Sequence, residues 1–107
     1  MAKQRQLFRI PIDRTGEVRR GNETFTCNVV DLTEKGVRLR IDGTFRLGEA
    51  LQLIFPLTET DRVECVIEVT HHRPPQVGAA IVRMASEDEA RLSRFIEELN
   101  ALNMTGF

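Results

Sequence analysis

Two short stretches hold the residues best suited to chemistry. RQLFR, residues 5–9, sets Arg5 and Arg9 four positions apart, and DLTEKG, residues 31–36, brings Asp31, Thr33 and Gly36 together. A guanidinium is a planar fork of donors that fits phosphate oxygens or the O6/N7 edge of guanine in bidentate fashion. The Asp31 carboxylate is an acceptor and Thr33 offers a hydroxyl. Gly36 lets the backbone take φ > 0 or come close to a ligand. The chemistry within reach is recognition of an anion or a base edge. Plainer uses of the same residues stay open: an Asx or ST turn closing a hairpin for DLTEKG, and solvated charge on an entry strand for the arginines.

Bond-making chemistry has little to build on. The chain has no GxSxG, HExxH, Walker or Gly-rich dinucleotide pattern, its first serine is Ser86, and neither Cys27 nor Cys65 has a histidine near it in sequence. No enzymatic activity is expected. His71 and His72 are adjacent, so a strand would point them to opposite faces and a shared metal site is not expected. The two cysteines form no CxxC and sit in apolar-alternating stretches, as small buried hydrophobes do. No cofactor and no metal are expected.

Composition narrows the partners. At 107 residues the chain has room for one domain with one modest core, and its 41% hydrophobic and 29% charged residues are those of a soluble globular protein. Nothing approaches a membrane span, and Lys3 and Arg5 are followed by no apolar leader segment, so a cytoplasmic location is expected. Net charge is −1 and there is no Trp or Tyr to stack bases, so binding of DNA or RNA is not expected. The charge is unevenly spread: Lys3, Arg5 and Arg9 stand in an acid-free start, whereas Glu87, Asp88, Glu89, Glu97 and Glu98 gather near the other end.

The elements that must hold these residues are mostly strands. Phe8, Ile10 and Ile12 alternate with Arg9, Pro11 and Asp13, which turns Arg9 outward with Arg5 on the same side, about 13 Å away in an extended chain. RRGNE at 19–23 supplies turn residues, and Phe25, Cys27 and Val29 alternate as a second strand that runs into DLTEKG. Val37, Leu39 and Ile41 alternate with Arg38, Arg40 and Asp42, so DLTEKG reads as the tight connection of a hairpin. Further strands are expected at 51–57, 62–72 and 77–84, with the two prolines of RPPQ, residues 73–76, making a loop. Ser86 and Glu89 form a capping-box pattern, and Leu92, Phe95, Ile96, Leu99 and Leu102 recur at helical spacing, so one amphipathic helix packs its apolar stripe on the sheet or on a partner, the sheet being the expected place. The fold class is all-β-dominated, an antiparallel sandwich or small barrel.

Taken in order, RQLFR and DLTEKG resemble the two signature motifs of the PilZ domain family, RxxxR followed farther along by (D/N)x(S/A)xxG. FRIPID, GVRLRI, FRLGEALQL, VECVIEV, QVGAAIVRM and the closing helix follow the family's layout over nearly the whole chain. The resemblance implies a six-stranded antiparallel β-barrel with one C-terminal helix: an arm over 1–4, a domain over 5–103 with the helix at about 87–103, and a tail over 104–107. It also implies a stand-alone receptor for cyclic di-GMP. Arg5, Arg9, Asp31, Thr33 and Gly36 would contact the ligand, often an intercalated dimer, with Gln4 as a further candidate. Some family members stack an aromatic residue on guanine from the loop before the last strand, and here Arg73, or else His72, would take that place. The arm would fold over the ligand and the signal would pass to a protein partner. Thr33 stands where the family more usually has serine, which keeps the hydroxyl on a stiffer side chain. The alternative is a PilZ-fold adaptor, for instance of pilus or flagellar machinery, that does not bind cyclic di-GMP.

Overall fold

A computed structural model describes the backbone of residues 9–105 and the side chains of residues 9–101. Six strands precede one helix: β1 (Ile10–Arg20), β2 (Glu23–Leu32), β3 (Gly36–Ile41), β4 (Ala50–Pro56), β5 (Arg62–Arg73), β6 (Gln76–Met84) and α1 (Ser86–Thr105). They close into a barrel in the order β1-β2-β3-β6-β5-β4, and every pairing is antiparallel. The expected six-stranded barrel with a terminal helix is what the chain forms.

Inward-facing alternation builds the core. Val18, Val29, Leu32, Leu39, Leu53, Phe55 and Ile67 are all at most 1% exposed. Burying each such side chain is worth about 1.5–3 kcal/mol, set against the entropy of ordering the chain. Cys27 and Cys65 belong to the same core, and burial pushes their thiols up to about 11 and about 12, Cys65 with help from the nearby charges of Asp88 and Glu64. They are inert as nucleophiles at neutral pH.

The first strand is longer than its sequence suggests. Ile10, Ile12, Arg14, Gly16 and Val18 are buried or half-buried while Pro11, Asp13 and Thr15 are exposed, so the alternation continues with an arginine and a glycine at two inward positions. Gly16 is required by space: a Cβ there would lie 2.9 Å from the Ile54 carbonyl oxygen and 3.0 Å from Phe55 Cβ. Arg14 donates from Nε and a terminal nitrogen to the Leu57 carbonyl at 3.2 and 3.1 Å, and its guanidinium lies 5.9 Å from the Phe95 ring centre. Only Glu17, Val18 and Arg19 pair with β4, so this arginine clasp extends the closure where the ladder stops.

The turns are tighter than expected. Between β1 and β2 only Gly21 and Asn22 remain outside the ladder, with Gly21 at φ 60°, the II′ arrangement suited to a two-residue hairpin. Asp31 and Gly36 are strand residues, and only residues 33–35 turn. RPPQ is a two-residue turn: Arg73 pairs with Gln76, and Pro74 and Pro75 alone leave the ladder, where their missing donors cost nothing.

Helix α1 presses Leu92 and Ile96, 3% and 5% exposed, onto the barrel, with Phe95 and Leu99 beside them. It begins at Ser86 and runs through Thr105, past the expected boundaries of 87 and 103. The Glu89 amide donates to the Ala85 carbonyl at 2.9 Å, so Ser86 lies inside the first turn and the capping box is not formed. Glu87, Asp88 and Glu89 suit the positive end of the helix dipole. Asp88 also ties the helix to β5 by accepting from the Glu64 amide at 3.3 Å.

Candidate ligand-binding site

The outer wall of the barrel over β2, β3, β6 and β5 carries a cleft of about 480 Å³. Arg9, Asp31, Thr33, Gly36 and Arg73 all line it. Gln4 and Arg5, with the rest of residues 1–8, lie outside the described residues.

Asp31 is the one buried charged residue among those described, at 8% exposure. Its two oxygens are divided between two arginines: Arg9 donates to Oδ1 at 3.4 Å and Arg38 lies 3.3 Å from Oδ2. Both distances exceed the roughly 2.7–2.9 Å of a tight charge-assisted bond, and both arginines keep substantial exposure, 56% and 38% of the side chain. The carboxylate is compensated yet loosely held, so another donor can replace either arginine.

Thr33 organises the turn. Its hydroxyl oxygen accepts from the amides of Lys35 at 3.1 Å and Gly36 at 3.0 Å, while its own amide donates to the Gly36 carbonyl at 2.8 Å. This is the ST turn that the same residues allowed from sequence. Gly36 does not use a positive φ. Its role is spatial, since a Cβ there would sit 3.1 Å from the Ala79 carbonyl oxygen.

The vicinal histidines do part to opposite faces. His71 lines the cleft, whereas His72 turns against Phe45, with ring centres 6.0 Å apart, and its buried Nε2 has no hydrogen-bond partner. The imidazole available to a ligand is therefore that of His71, not His72, because an extra residue, Thr70, in the β5–β6 ladder sets which histidine faces out.

Sequence reading missed Arg38, Thr70, His71 and Gln76 as lining residues. They reach the cleft only through strand pairing: Arg38 is opposite both Asp31 and Gly78, and Gly78 is opposite His71. The outward phase of Arg38 in GVRLRI was the one signal that could have found any of them. Among the described residues no group of three or more His, Cys, Asp or Glu side chains comes together to hold a metal, and no helix is long and apolar enough to cross a membrane.

This arrangement can bind an anion that carries hydrogen-bond donors. Its guanidiniums offer donors to such an anion, Asp31 offers an acceptor, and neither Gly36 nor Gly78 projects a side chain from the sheet face.

Comparisons with known proteins agree with the fold. Bacillus subtilis inhibitor of motility, MotI/DgrA, superposes with a TM-score of 0.74 at 20% identity, covering 92% of this chain and 53% of that one, so the chain spans about half that protein's length. The PilZ domain of YcgR from Escherichia coli, solved with cyclic di-GMP, gives 0.72 at 13% identity over 97% of this chain and 98% of that one. The PilZ domain of CeSA from a cellulose-synthesising bacterium gives 0.71 at 13% identity over 87% and 98%. No curated protein sequence matches the chain. The family model described as PilZ domain matches residues 3–98. With nearly the whole length matched and a six-stranded barrel closed by a terminal helix, this chain belongs to the PilZ domain family.

Proposed function

We propose that this chain is a cyclic di-GMP receptor, acting in the cytoplasm without enzymatic activity or cofactor, whose N-terminal arm changes conformation on binding and so alters what a protein partner meets. The observation that carries this reading is the convergence of Arg9, Asp31, Thr33, Gly36 and Arg73, from both motifs and the β5–β6 turn, on one cleft. In this reading Arg5 and Arg9 neutralise phosphodiesters and Asp31 accepts from guanine N1–H and N2–H₂. Thr33 holds the turn that sets Asp31 and Gly36 in place. A change of the arm on binding makes the bound and free surfaces distinct states.

Isothermal titration with cyclic di-GMP tests it. The expected result is saturable binding at tens of micromolar protein, weakened by Arg5→Ala and by Arg9→Ala. Absence of heat, or binding indifferent to both substitutions, overturns the receptor reading. The alternative is a PilZ-fold adaptor that does not bind cyclic di-GMP, in which the Thr33 hydroxyl, accepting two backbone amides, serves the turn alone. A thermal shift scan separates the two, because a ligand at a hundred times its dissociation constant stabilises the folded state by about 2.7 kcal/mol and an adaptor gains nothing.

A further inference from the structure

Arg38 lies outside both family motifs, yet it occupies the middle of the cleft floor. Strand register sets Asp31, Arg38, Gly78 and His71 in one row across four strands. Gly78 opposite Arg38 on β6 and Gly36 two residues before it put no side chain on the sheet face on those two sides. Neither glycine can be enlarged freely: a Cβ at 78 would meet His71 Cβ at 3.2 Å, and one at 36 would meet the Ala79 carbonyl at 3.1 Å.

We propose that Arg38 is a third anion-binding arginine of this site, held ready by Asp31 and directed at a phosphodiester of the ligand; this rests on the receptor reading above. Two observations carry it. The partner of Arg38 is a single carboxylate oxygen at 3.3 Å, which leaves most of its five donors uncommitted in a side chain 38% exposed to the cleft. The second is charge. Among the described residues the cleft is lined by three arginines, Arg9, Arg38 and Arg73, against the single carboxylate of Asp31, an excess of positive charge that suits a ligand with two phosphodiesters and to which Arg38 contributes. Its role differs from that of Arg9. Arg9 immediately precedes β1, while Arg38 is fixed on a strand paired on both sides. When a guanine edge takes Asp31, Arg38 is released to the adjacent phosphate without the backbone having to move.

The test is calorimetric titration of cyclic di-GMP into the wild-type chain and into Arg38→Gln, Arg38→Lys and Arg40→Gln. Arg40 is exposed on the same strand and does not line the cleft, so its substitution removes the same charge outside the site. Expected is a loss of roughly 10- to 100-fold for Arg38→Gln, a smaller loss for Arg38→Lys, which keeps the charge without the fork, and little change for Arg40→Gln. Thermal melts establish that each variant is folded, and if Arg38→Gln is not, Arg38→Lys decides alone. Wild-type binding that both Arg38 variants retain, or an equal loss in Arg40→Gln, overturns the assignment of Arg38 and leaves the receptor reading standing. No binding by the wild-type chain overturns both.

Discussion

Asp31→Asn separates what Asp31 does for the fold from what it does for a ligand. In the free chain the substitution removes two ion pairs, to Arg9 at 3.4 Å and Arg38 at 3.3 Å, whose arginine side chains are 56% and 38% exposed. Pairs this long and this open to solvent are worth about 0.2–1 kcal/mol each, and neither arginine is stranded when the charge is lost because water reaches both. The stability cost is therefore under about 2 kcal/mol, a fall in melting temperature of roughly 10 °C or less in a domain of this size. Binding should suffer more. A guanine edge needs two acceptors, and asparagine keeps one while turning an N–H₂ toward the donors. Losing a hydrogen bond to a charged group costs about 1.5–3 kcal/mol, which is roughly 10- to 150-fold in affinity. Calorimetric titration and thermal denaturation on the same preparation read both quantities. Affinity within twofold of wild type would refute the assignment of Asp31 to a base edge. Failure to fold would show that the carboxylate is chiefly structural.

Two further perturbations address the barrel. Gly16→Ala sets a methyl 2.9 Å from the Ile54 carbonyl and 3.0 Å from Phe55 Cβ, so the β1–β4 seam must shift, and a loss of about 1–3 kcal/mol is expected in urea denaturation. The cysteines set an alkaline limit. Cys27 and Cys65 titrate at about 11 and about 12 in the folded chain against an ordinary 9.0, so the unfolded chain releases protons first. Their contribution to stability is complete below pH 9 and falls as the pH rises through 11 and 12. A double Cys→Ala variant should show a shallower decline of melting temperature above pH 9, and the wild-type thiols should resist alkylation at pH 8 until the chain is unfolded.

Much of this was legible because most strands obey the period of two. VECVIEV and GVRLRI put apolar residues on the core at every second position, and the helix repeats its stripe at Leu92, Phe95, Ile96 and Leu99. β1 was cut short where Arg14 and Gly16 take inward positions, one satisfied by the Leu57 carbonyl and the other demanded by close backbone packing. Both causes reside in β4 and the residue after it, which no local pattern in β1 can report. The site divides the same way. Arg9, Asp31, Thr33 and Gly36 stood out because residue type and local spacing marked them. Arg38 and His71 belong to the cleft by cross-strand register, and one extra residue at Thr70 decides which of two adjacent histidines faces it. Local sequence shows neither the register nor the bulge.

The clasp of Arg14 on Leu57 has a consequence for how another protein could attach. A barrel that closed only through Glu17–Arg19 would leave the first half of β1 and the end of β4 as open hydrogen-bonding rims, inviting a foreign strand to add itself. The guanidinium occupies that carbonyl, and α1 lays Phe95 beside it. Strand addition at this seam would first have to evict an arginine and lift a helix. A partner is thereby steered away from the generic grammar of backbone pairing and toward side chains, where recognition can be selective.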